Sequence, residues 1–172
     1  MFRRLALLLP LMFAWVLAAQ AQSPAPAAAN PLSPLDSWVG GRWVGEFDAG
    51  NGRKFKLIRT YEWSFDRRLL IGRSFGEVAG KTNQSRETVY FWNPETQRIE
   101  FSDFIDKGGF GAGFIERRDG RLYMEAKVVG NPAHPSWRAW IDESADSQVI
   151  RVEALREGNW ADFGTYPYKR EP

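Results

Sequence analysis

The chain has 172 residues, with 23 Lys or Arg against 21 Asp or Glu, one His and no Cys, and 15% of it is aromatic. That content is too apolar and too aromatic for a disordered chain, and the length suits one folded module. Disulfide staples, cysteine nucleophiles and lipid attachment through a cysteine are excluded, because the residue is missing.

Arg3 and Arg4 precede an apolar run from Leu5 to Ala18, and Ala19-Gln20-Ala21 follows as a small-residue cleavage site, so residues 1–21 read as a secretory signal peptide. The run is short of the ~20 residues a spanning helix needs, and no stable membrane insertion is expected after cleavage. Without Arg3 and Arg4 the chain carries 21 basic residues against 21 acidic ones, a balance that favours no nucleic-acid partner. An exported, Cys-free domain is expected in a bacterial periplasm. Residues 22–34 are rich in Pro and Ala and read as a linker, which places the folded domain at 35–171.

The domain opens on a helical turn, with Ser33 as cap, Pro34 at the first helical position, Asp36 in the first turn and Gly40-Gly41 as the stop. Beyond it the apolar pattern has period two. Strands are predicted at 42–48, 54–65, 69–78, 86–92, 98–105, 110–117, 121–129, 137–142, 148–156 and 161–169. Turn residues separate them, among them Gly50-Asn51-Gly52, Gly80-Lys81-Thr82-Asn83 and Asp119-Gly120, the last being the strongest hairpin signal. Connections this short hold no crossover helix, so the strands are antiparallel neighbours. The predicted fold is all-β: an antiparallel meander barrel of 8–10 strands with a short N-terminal helical turn, because closure removes the exposed edges.

Gly41-Arg42-Trp43, opening the first strand directly after the helical turn, resembles the G-x-W signature of the lipocalin and calycin superfamily. The chain is also similar in this respect to small bacterial exported barrels of unknown function and to nitrobindin-like barrels of ten strands. The resemblance implies a calycin-like barrel in which Gly41 and Trp43 belong to a barrel-end motif, with Trp43 plugging one end beneath a basic residue of the last strand, Arg170 or Lys169. Nitrobindin-like barrels bind haem through one His, which makes His134 the sole candidate haem ligand here. The alternative for His134 is a solvent-exposed loop residue.

The lumen carries the function in such a fold. On the second strand Phe55, Leu57, Arg59, Tyr61, Trp63 and Phe65 share one face, so Arg59 is expected to point inward. On the third, Arg73 and Phe75 share a face with Leu69 and Ile71, while the other face is too weakly polar to decide the matter. Asp103 lies with Ile99, Phe101 and Ile105, and Glu116 with Phe110, Ala112 and Phe114. An unpaired charge in an apolar interior is costly, so such charges are paired, hydrated or reserved for a ligand. In one reading Arg59 and Arg73, assisted by Tyr61 or Tyr90, anchor an anionic head group while Trp63 and Phe75 hold an apolar tail. In the other, Arg59–Asp103 and Arg73–Glu116 are internal salt bridges. An isomerase or lyase would draw its acid and base from Asp103, Glu116, Glu77, Glu153, Tyr61 and Tyr123. A cell-envelope interaction protein with a filled barrel is a further alternative. Trp137 and Trp140 have opposite parity, so one of them faces outward.

Overall fold

The computed structural model describes residues 29–48, 54–130 and 133–172. The predicted signal peptide, the first part of the predicted linker, the predicted turn at Gly50-Asn51-Gly52, and Asn131-Pro132 lie outside the described residues. Period-two alternation broken by left-handed turn residues produces the strands β1 (Arg42–Asp48), β2 (Lys54–Ser64), β3 (Leu69–Val78), β4 (Lys81–Asn93), β5 (Arg98–Ile105), β6 (Gly109–Arg118), β7 (Arg121–Val129), β8 (Ser136–Glu143), β9 (Ser147–Arg156) and β10 (Asn159–Glu171). Each pairs antiparallel with its sequence neighbours, and β1 pairs with β10 to close a ten-stranded meander barrel.

Three two-residue turns have positive φ at both positions: Asp119-Gly120, as expected, together with Ala79-Gly80 and Glu157-Gly158. Positive φ at both central residues matches the right-handed twist of the flanking strands. This tight Ala79-Gly80 turn is why β4 begins at Lys81, so that the stretch predicted to be a loop through Asn83 is paired strand. Two bulges re-aim side chains. Ser85 is the extra residue opposite the Ser74/Phe75 step, and Phe163 is the extra residue between Asp162 and Gly164. Before the second bulge Trp160 faces outward against Arg138; after it Tyr166 and Tyr168 face the lumen.

One barrel end is plugged. Ser33–Trp38 forms a 3-10 turn whose Leu35 and Trp38 are buried, together with Leu32 just ahead of it. Leu32 is only 1% exposed, so core packing reaches into the stretch that composition marks as linker. Ser33 does not cap the turn: Leu32 holds that position, and its backbone N–H donates to Asn30 Oδ1 at 3.0 Å. The plug is fastened to the wall where Trp38 Nε1 donates to Glu143 Oε2 at 3.1 Å and Arg67 pairs with Asp36 at 2.6 Å.

Trp43 and Arg170 meet at the plugged end. Trp43 is fully buried, donates its indole N–H to the Trp38 carbonyl at 2.8 Å, and lies beneath the Arg170 guanidinium, 4.5 Å from its ring centre. Arg170 also donates to the Ser37 carbonyl. Lys169, the other candidate, is exposed. Gly41 has φ +126, and a Cβ there would stand 2.7 Å from the Glu171 carbonyl oxygen, so the approach of β10 requires glycine.

Gly113 permits the closest strand approach in the wall. A Cβ at this position would lie 1.9 Å from the Glu125 carbonyl oxygen and 2.8 Å from Ala126 Cα, both backbone atoms of β7. Gly113→Ala is therefore expected to lower the chemical denaturation midpoint by the equivalent of about 1–3 kcal/mol, since backbone cannot yield as a side chain does. An unchanged midpoint would show that β6 can move away from β7 at no cost.

Candidate functional site

Above the plug the lumen is open, with a cavity of about 400 Å³. That size falls in the range of small-molecule sites. Its floor is aromatic: Trp38 packs on Tyr61 with centroids 5.1 Å apart and on Tyr90 at 5.5 Å. The two tyrosines fit only because Gly72 lies beneath them, where a Cβ would come within 2.9 Å of the Tyr61 ring.

Arg59 points into this cavity from β2, as the alternation predicts. It lies beside the Tyr61 hydroxyl, and its guanidinium stacks 4.6 Å from the Tyr168 ring centre. Burial disfavours its charge, and attraction to Tyr168, Tyr61 and Tyr90, acting where those phenols are ionised, lifts the guanidinium above its usual range; it is therefore cationic at neutral pH, where the protonated phenols of Tyr61 and Tyr90 do not neutralise it. Among the described residues no carboxylate forms an ion pair with it, so the expected Arg59–Asp103 bridge does not exist. Burial raises the Tyr61 hydroxyl above its usual range, although neighbouring Arg59 works against it, and raises Tyr90 further. Both phenols remain protonated hydrogen-bond donors. Two more buried polar groups border the cavity without a hydrogen-bond partner among the described residues: the Tyr168 hydroxyl and Gln148 Nε2, on the paired positions of β10 and β9.

The second lumen arginine is Arg86, not Arg73. Tyr90 faces inward, and period two carries Thr88 and Arg86 with it, a signal present in the sequence but not used. Asp103, 1% exposed, is the buried carboxylate of the site. Thr88 Oγ1 donates to its Oδ1 at 2.8 Å, and Arg86 Nη1 stands 3.4 Å from its Oδ2, an ion pair that leaves Oδ2 without a hydrogen bond. The fork of Arg86 and the Thr88–Asp103 pair thus form a hydrogen-bonding strip along β4 and β5.

The remaining predicted residues lie elsewhere. Arg73 is on the outer wall, bridging Glu62 at 2.5 Å and Glu87 at 3.0 Å. The inward face of β3 is Leu70, Gly72 and Ser74, whose small members make room for the cavity. Phe75 is on the outer face opposite Ile58. Glu116 also faces outward, held by Arg118 at 2.5 Å and Arg98 at 3.7 Å, so the Arg73–Glu116 bridge is absent as well. Trp63 packs against the core without bordering the cavity and is covered by Arg67, 4.9 Å from its ring centre. Of the acid and base candidates only Asp103 and Tyr61 border the cavity. Glu153 pairs with Arg138 at 2.5 Å and Tyr123 donates to Glu125 at 2.5 Å on the outer wall, while Glu77 accepts from Thr82 at 3.3 Å. Trp137 faces the cavity; Trp140 faces outward, against Tyr123. His134 is half-buried at the cavity wall, edge-on to Phe163 at 5.5 Å, rather than on a solvent-exposed loop.

Fold and site together define a closed ten-stranded antiparallel barrel, plugged at one end, with an internal cavity that contains a buried guanidinium. Among solved structures the chain is similar in fold to Rv2717c from M. tuberculosis, with a TM-score of 0.56 and 10% sequence identity, over 84% of this chain and 99% of that one. No protein-family model and no curated protein matches the chain.

Proposed function

We propose that this is an exported small-molecule binding protein whose barrel holds a partly apolar, anionic ligand. One observation carries the reading: Arg59 is buried beside a 400 Å³ cavity with three tyrosines around it and, among the described residues, no carboxylate in an ion pair with it. A buried charge of this kind is destabilising unless something of opposite sign completes it. The groups around it are mostly donors, namely the guanidinium, the protonated phenols and the Gln148 amide, and such a set suits an acceptor-only head group such as a carboxylate or sulfonate. The open cavity favours a binder over a filled interaction barrel. The signal-like N-terminus supports export to the periplasm, and the packing of Gly41, Trp43 and Arg170 supports a calycin-like ancestry.

The test is a fluorescence titration with anilinonaphthalene sulfonate and its uncharged parent, N-phenyl-1-naphthylamine, which share one ring system. A charge-assisted bond contributes about 1.5–3 kcal/mol, so the sulfonate is expected to bind saturably and roughly 10–100-fold more tightly. Equal affinities, or no saturable signal from the sulfonate, overturn the reading. A second reading, haem held through His134, is favoured by the place of that side chain at the cavity wall. A Soret band that survives gel filtration of the haemin-treated protein would support it.

A further inference from the structure

Among the described strand residues, charged side chains border the lumen from one side only, although Leu57, Phe101 and Ile105 share that side and Gln148 on β9 is polar on the other. Arg59 and Tyr61 on β2, Arg86 and Thr88 on β4 and Asp103 on β5 all border the cavity from one side. Met124 on β7, Trp137 on β8, and Ile150 and Val152 on β9 border it from the other. In the barrel order β2–β5 and β7–β9 are two contiguous arcs, so these walls face each other across the lumen.

A head-and-tail amphiphile does not suit such a container. Its apolar tail would lie along the strip of Arg86, Thr88 and Asp103 and cover charged groups without satisfying them, at a cost. A flexible tail would also lose rotamer freedom on confinement. We infer that the ligand is a rigid ring acid that is polar along one face and apolar along the other: its acid group seats on Arg59, its hydroxyl-bearing face lies on the Arg86–Thr88–Asp103 strip, and its apolar face packs on β7–β9. Asp103 Oδ2, which accepts no hydrogen bond from the described residues, is the acceptor for a ligand hydroxyl once Arg86 shifts from it. This inference rests on the proposed anion-binding function and specifies its ligand class.

Cholate and lithocholate are suitable probes, since they share a rigid steroid acid skeleton and differ in the number of hydroxyls on one face. Each is titrated, below its micellar concentration, against wild-type protein loaded with anilinonaphthalene sulfonate. Cholate is expected to displace the dye at least tenfold more effectively than lithocholate or palmitate. In Asp103→Asn, with its fold confirmed by a cooperative melt, the cholate preference is expected to fall severalfold. Equal displacement by the two steroids, stronger displacement by palmitate, or no displacement by any of them overturns the ring-acid inference while leaving the anion site intact. Failure of the dye itself to bind overturns the function on which it rests. The wild-type comparison needs no variant, so a misfolded Asp103→Asn would not protect the inference.

Discussion

Arg59→Met is expected to abolish binding of the anionic dye and, in the same protein without ligand, to raise the melting temperature by several degrees. The two effects have one cause. Arg59 occupies the lumen at the expense of its hydration, and no carboxylate in the described wall returns that energy. Methionine of similar length removes the desolvation cost and fills the space among Tyr61, Tyr90 and Tyr168 with apolar atoms. A gain of about 1–3 kcal/mol is reasonable for replacing a buried ionic group by a packed apolar one, offset in part by the lost cation–π contact with Tyr168 at 4.6 Å. Loss of function with gain of stability is the pattern of a site held ready for a ligand. Arg73→Met is the matching control: its bridges to Glu62 and Glu87 lie on the outer wall, so dye affinity stays at the wild-type level and stability changes by less than about 1 kcal/mol. If Arg59→Met melts at a lower temperature and still binds the dye, Arg59 is a structural residue.

Trp43→Ala is expected to have the largest effect on stability, about 3–5 kcal/mol as seen for buried large aromatics, measured by denaturant unfolding. Trp43 is fully buried, and two contacts meet on it. Truncation leaves a void beneath the plug, orphans the Trp38 carbonyl that accepts the indole N–H, and removes the ring under Arg170. Trp38 forms part of the cavity floor, so loosening the plug also disturbs Tyr61 and Tyr90 and weakens dye binding. A loss under 1 kcal/mol would mean that the barrel end closes without its tryptophan.

The all-β meander and most strand positions are legible in the sequence because alternation and left-handed turn residues are local signals. Arg59 is legible for the same reason, since the opposite face of β2 is plainly more polar. Arg73 is not, because the two faces of β3 differ little in polarity: Leu69, Ile71 and Phe75 lie outside, while the inward face is made of Leu70 and small residues that leave space instead of filling it. Cavities depend on small inward residues, so hydrophobicity alone misplaces such a strand. The bulges at Ser85 and Phe163 insert a residue and reverse parity beyond it, and no composition rule marks them here. Pairing is a lateral property: that Asp103 meets Thr88 and Arg86, rather than Arg59, follows from the β4–β5 register, which a single strand does not contain.

Nine of the ten strand pairings join sequence neighbours, and the tenth joins the two ends of the domain. Hairpins zip from local contacts with little entropy lost in closing their loops, whereas the seam between β1 and β10 must bring distant segments together. Folding is therefore expected to be limited by that final seam, with Trp43 and Arg170 as its clasp. Until it forms, the curled sheet has two bare edges able to recruit other chains, so the last strand is where slow synthesis or truncation would turn a closed barrel into an aggregate.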